Sequence, residues 1–109
     1  MDHTDRLRRL TINDERLAEE LIGGAGVECA QLDPRTLALV RLAALVAVGG
    51  NLPSYGTLAD AAVTAGASTA EIVEVLVGVV DIVGLPCVVT AAPDLATALG
   101  YDMDDALER

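Results

Sequence analysis

Residues 33–50 read "DPRTLALVRLAALVAVGG", and no other stretch limits the possible folds as tightly. Asp33 is a capping residue, Pro34 takes the first helical position, and Gly49-Gly50 stops the helix that they start. On a helical wheel Leu37, Ala44, Leu45 and Val48 fill one side and Leu39, Leu42 and Val46 the other. A helix apolar on every side is expected to be buried on every side. Within one small chain that requires further helices packed around it, and apolar surface left over must be covered by a second subunit.

The rest of the chain supplies those helices. "NDERLAEEL", residues 13–21, opens on Asn13 as N-cap with acids in the first turn, which predicts a short helix. "GGAGVECAQL" reads as a loop. After Gly50 a helix is expected from about Pro53 to Ala65, ending at Gly66. Ser68 and Glu71 then form a capping box that opens a helix to Val83. Its core stripe is Ile72, Val75, Leu76, Val79 and Val83, with Glu71, Glu74, Gly78 and Asp81 opposite. Gly84 ends it. Pro86 begins a last helix with the stripe Val88, Ala91, Ala92, Leu95 and Leu99, and Pro93 inside it is expected to kink or restart the helix. No stretch alternates with period two between turns, so the fold is all-α. A chain of 109 residues is one domain: an N-terminal arm and short helix over 1–31, a helical core over 32–100 and an acidic tail over 101–109.

Composition narrows the partners. The apolar content is aliphatic, with no Phe or Trp and only Tyr55 and Tyr101 as aromatics. The formal net charge is −10, there is no lysine, and no basic side chain falls between residues 42 and 108. Such a surface repels phosphate backbones and anionic lipid, which disfavours nucleic acid and membrane as partners. The longest apolar block, Leu37 to Val48, is too short for a membrane span and carries Arg41. The N-terminus mixes both charges and has no apolar signal-peptide segment, and Cys29 and Cys87 are too few for a disulfide framework. A cytoplasmic protein is expected.

The stretches "LDPRTLALVRLAALVAVG", "AAVTAGASTAEIVEVL" and "VGLPCVVTA" together span about residues 32–92, and in that order they resemble the carboxymuconolactone decarboxylase family, which includes the alkylhydroperoxidase D-like proteins. The resemblance implies an all-helical fold that assembles into trimers or hexamers. It also gives the turn "VAVGGNLPSYG" a meaning. In the redox branch of the family a Cys-x-x-Cys begins the helix after the long apolar one, with a histidine one turn later. Counting back from Gly66, these positions hold Asn51, Ser54 and Leu58, and the acid of the preceding helix falls near Ala38 or Leu39. Peroxide reduction needs a reactive thiolate beside a resolving thiol, and Asn51 and Ser54 supply neither. The decarboxylases keep the histidine, and Leu58 removes that as well. The resemblance thus implies a family turn without either known chemistry, and no redox cofactor is expected.

Several residues remain as candidates, each beside a plainer reading. Asn51, Ser54, Tyr55 and Leu58 share a helix face, so three polar side chains are expected at the family's pocket, or else at a helix end that they cap. Arg41, with apolar neighbours in every direction, is expected to be buried and either to close an ion pair or to hold a ligand carboxylate. Tyr55 and Asp60, with Arg41, are the groups available for acid–base catalysis. Asp81 fits a solvated acidic stripe with Glu71 and Glu74. Cys29 and Cys87 read better as small buried residues than as reactive thiols. His3 has no spacing that suits a metal or a catalytic triad, and no metal site is expected. Arg6, Arg8, Arg9 and Arg16 read as a solvated or partner-docking arm. Two functions follow: an oligomer that binds a small, largely apolar molecule, carboxylate-bearing if Arg41 serves it, or a non-catalytic assembly protein.

Overall fold

A computed structural model describes residues 2–23 and 31–101, and all of the secondary structure among them is helical. Cys29 and the acidic tail beyond Tyr101 lie outside the described residues. The chain divides into two compact units, Met1–Ala30 and Gln31–Arg109.

In the first unit a helix stands where a solvated or partner-docking arm was expected. α1 runs over His3–Thr11, and Asp2 caps it by accepting a 2.7 Å bond from the Asp5 N–H. α2 runs over Glu15–Gly23. The expected cap residue of α2, Asn13, instead takes the left-handed conformation (φ 55°), which asparagine tolerates in a tight turn. Asp14 does the capping, its carboxylate accepting from the Arg16 N–H at 2.9 Å. Arg9 holds the two helices together. Its guanidinium donates to Asp14 at 2.9 Å and lies 3.7 Å from Glu20, and its side chain is only 12% exposed. Of the arginine cluster, Arg6, Arg8 and Arg16 are exposed, but Arg9 is an internal tie.

The second unit holds four helices: α3 Pro34–Val48, α4 Leu52–Thr64, α5 Thr69–Val83 and α6 Leu85–Ala98. Every pair of them is in contact. The end signals read from sequence operate here. Asp33 accepts from the Thr36 N–H at 2.7 Å, and both halves of the Ser68–Glu71 capping box form at 3.0 Å. Arg35 reaches from the start of α3 to Glu71 at the start of α5, an ion pair between two helix beginnings. The core is aliphatic apart from one ring: Ala38, Leu42, Val46, Tyr55, Ala59, Ala62, Ile72, Val88, Ala91 and Leu95 are buried. Val75, Leu76, Val79 and Val83 pack against it as their stripe requires, and Glu74 and Asp81 are exposed.

The helices are built as two hairpins with a shared pattern. α3 ends at Gly49 (φ 87°, ψ 142°) and α5 at Gly84 (φ 88°, ψ 151°), a region of backbone space essentially closed to residues with a Cβ. Each exit leads into Leu-Pro-x-x-x-Thr: Leu52-Pro53 to Thr57, and Leu85-Pro86 to Thr90. In both, the threonine hydroxyl donates back to the proline carbonyl, at 3.1 and 2.9 Å. The hairpins differ by two residues. The α3–α4 link includes Gly50 and Asn51, and Asn51 caps α4; the α5–α6 link lacks them, and α6 starts with no side-chain cap. Pro93 was expected to kink or restart the last helix; α6 does not restart there but runs unbroken through it, and Thr97 donates to the Pro93 carbonyl at 3.0 Å.

One expectation fails for a geometric reason. α3 is not buried on every side: Ala38, Leu42 and Val46 are, but Val40 is exposed and Val48 is 81% exposed. Three neighbouring helices cover one side of α3 and leave the other open in a single chain. Further apolar side chains stand on the surface of the same unit, among them Val73, Val77 and Ile82 of α5 and Leu85 and Val89 of α6.

Candidate functional site

An apolar cavity of about 280 Å³ opens into the four-helix unit. The last turn of α3 and its Gly49-Gly50 exit form one wall, Tyr55 of α4 lies within it, and Pro86, Cys87, Thr90 and Ala91 of α6 form the facing wall. Local sequence explains each part. The two glycines carry no side chains to close the mouth. Pro86 in the first turn of α6 fixes where that helix begins, so Cys87 and Ala91, four residues apart, fall on the same face.

Tyr55 is the polar centre of the cavity. Its side chain is 1% exposed, among the largest groups fully enclosed in the core. Among the described residues its hydroxyl neither donates nor accepts a hydrogen bond. Yet among the described residues no side-chain oxygen or nitrogen is both sealed from solvent and unpartnered. The hydroxyl therefore keeps contact with open space, and the cavity is the open space that Tyr55 lines. Burial, then the nearby Asp94 carboxylate and the Cys87 thiol, push the phenol above its ordinary titration range. It is a neutral hydrogen-bond donor at physiological pH.

The other polar groups near the cavity differ in what they have free. Thr90 donates its hydroxyl proton to the Pro86 carbonyl. Cys87 is a half-buried free thiol without a hydrogen-bond partner among the described residues. It occupies the third position of α6, whose first turn has no side-chain cap. Cys87, Ala91 and Asp94 recur at i, i+4 and i+7, a spacing legible in the sequence, but nothing in the sequence places that face against Tyr55.

The residues singled out from sequence disperse. Asn51 and Ser54 do not line the cavity: the Asn51 carboxamide oxygen accepts from the Ser54 N–H at 3.0 Å and the Ser54 hydroxyl at 2.8 Å. Leu58 packs half-buried against the core. Asp60 is exposed and absent from the cavity wall. Arg41 departs most from expectation. It is exposed, because it projects from the open side of α3, and it forms no ion pair among the described residues. Its charge is hydrated and needs no partner within the protein. Among the described residues no cluster of His, Cys, Asp and Glu is arranged to hold a metal ion, and no helix is long and apolar enough to cross a membrane.

No protein-family model, curated protein or solved structure matches the chain.

Proposed function

We propose that the protein binds a small, uncharged, largely apolar molecule in the cavity between α3, α4 and α6, with Tyr55 as its hydrogen-bonding anchor. The observation that carries this reading is the Tyr55 hydroxyl, enclosed yet without a protein partner. The hydroxyl keeps contact with open space, and a ligand acceptor can take its hydrogen bond there in place of water. The cavity lies near the lower end of the size range of small-molecule sites and has the usual pattern of apolar walls with few polar groups. A carboxylate is not favoured as the ligand's head group. Arg41 lies outside the cavity, and the ionisable neighbours of Tyr55 are an acid and a thiol. The same arrangement speaks for binding rather than acid–base catalysis, because Asp60 is not at hand as a second group.

The proposed ancestry is a diverged member of the carboxymuconolactone decarboxylase family. Its support is the quoted residue resemblance together with the all-helical architecture. A second reading, assembly of identical chains, is favoured by the apolar side chains left exposed on α3, α5 and α6. Binding and assembly are compatible.

The test is titration of cyclohexanone and of cyclohexanecarboxylate into methyl-labelled protein, read at Val46, Val48 and Ala91. The ketone is expected to shift these signals at lower concentration than the acid does. A carboxylate that binds as tightly as the ketone would overturn the assignment of an uncharged ligand.

A further inference from the structure

Two polar groups in the cavity wall have no hydrogen-bond partner among the described residues, the Tyr55 hydroxyl and the Cys87 thiol. They come from different helices, α4 and α6, and line the same small apolar space. One is a hydrogen-bond donor and the other a nucleophile. A ligand that uses both needs an oxygen acceptor and an electrophilic carbon a short distance from it. An α,β-unsaturated carbonyl compound has that arrangement, with the electrophilic β-carbon two bonds beyond the carbonyl carbon.

We infer that the cavity is a reaction site for small uncharged α,β-unsaturated carbonyl compounds, with Cys87 as the nucleophile and Tyr55 as the hydrogen-bond donor to the carbonyl oxygen. The proposal rests on the cavity being a ligand site. In the addition, the Cys87 thiol gives its proton to solvent and its sulfur forms a bond to the β-carbon. The carbon–carbon π pair moves toward the carbonyl, and the resulting enolate oxygen accepts a hydrogen bond from Tyr55. The α-carbon then takes a proton from solvent. The thiol and the alkene become a thioether, with no oxidant or reductant involved. The phenol suits its role because burial and the nearby Asp94 carboxylate keep it protonated. The apolar walls lower the polarity around the enolate oxygen, which strengthens that one hydrogen bond.

The experiment uses the full chain carrying Cys29→Ser, so that Cys87 is its one thiol, and cyclohexenone as the probe. Mass spectrometry follows adduct formation, and peptide mapping locates it. Cys87 is expected to react roughly tenfold faster than the same cysteine in a peptide of residues 84–91, and Tyr55→Phe on the same background to slow the reaction roughly five- to tenfold, the effect of one hydrogen bond. The melting temperature of each variant is recorded alongside, to show that it is folded. A Cys87 that reacts no faster than the peptide, or a rate unchanged in folded Tyr55→Phe, would overturn the proposal. Saturated cyclohexanone separates the two readings. If it shifts the Val46 and Ala91 methyl signals while Cys87 stays inert to cyclohexenone, the ligand site stands and the reaction falls. If neither ketone perturbs those signals, both fall.

Discussion

The Asn51 carboxamide oxygen accepts two hydrogen bonds from one residue, the Ser54 N–H at 3.0 Å and the Ser54 hydroxyl at 2.8 Å. That pair closes the start of α4 and leaves Tyr55, one residue further on, as the group that reaches the cavity. Asn51→Ala is therefore expected to cost about 0.5–2 kcal/mol of stability, the usual range for a lost N-cap. Affinity for an uncharged ligand should change little. Denaturant unfolding and ligand titration on the same variant check both parts; a folded variant that no longer binds would return Asn51 to the site.

Tyr55→Phe removes a hydroxyl that has no partner in the protein. A hydrogen-bonded tyrosine in a core loses roughly 0.5–1.5 kcal/mol on this change. Here no such loss is expected, because no hydrogen bond within the described residues is removed. Thermal unfolding of the variant decides the matter. A clear loss of stability would mean that the hydroxyl is bonded within the protein.

Arg41→Met tests what exposure implies. The side chain stands on the open side of α3 and makes no ion pair among the described residues. Its replacement should change stability by no more than about 0.5 kcal/mol, as for ordinary surface positions. Chemical unfolding of the parent and the variant supplies the comparison. A loss of several kcal/mol would mean that an acid, stranded by the substitution, pairs with Arg41 in the native protein.

Glu71 makes a defined contribution to acid sensitivity. The Ser68 N–H, and then the charge of Arg35, hold its carboxyl below the ordinary range. A depressed folded value stabilises the protein above the unfolded pKa, about 4.3 for glutamate, and that stabilisation is lost as pH falls through the folded value. Melting temperatures measured from neutral pH downward should begin to fall near about pH 4–5. Glu71→Gln should show a lower neutral-pH melting temperature and a shallower decline. Some decline remains, because Asp33, accepting from the Thr36 N–H, and Asp14, bonded to Arg9, are depressed in the same direction. Parallel curves for parent and variant would remove Glu71 from the acid response.

Ile82 is 86% exposed, with Val77 and Val89 also on the surface of the four-helix unit. Soluble monomers seldom leave such groups uncovered as a continuous patch. Light scattering is expected to give a mass of several chains at low micromolar concentration. Ile82→Glu removes no core contact and should lower that mass while keeping the helical circular dichroism. A parent protein with the mass of one chain would end the assembly reading.

The sequence by itself determined where most helices begin and end, because those signals are local. Asp33-Pro34, Asn51 and the Ser68–Glu71 box act within one turn of themselves, and Gly49, Gly66 and Gly84 adopt positive φ wherever the chain around them goes. The core stripes of α5 and α6 were legible for the same reason, since periodicity is a property of one helix. α1 was missed because its charges interleave without an apolar stripe, and its cap lies at Asp2, the second residue. From sequence, Arg9 read as part of a solvated or partner-docking arm and Arg41 as a buried cation among apolar neighbours. Tertiary structure alone made Arg9 the tie between α1 and α2 and left Arg41 exposed. Burial depends on which other elements arrive, and no window of sequence contains them. The cavity has the same origin. Tyr55 and Cys87 are separated by all of α5 in the chain, and they line one space only because α4 and α6 pack together.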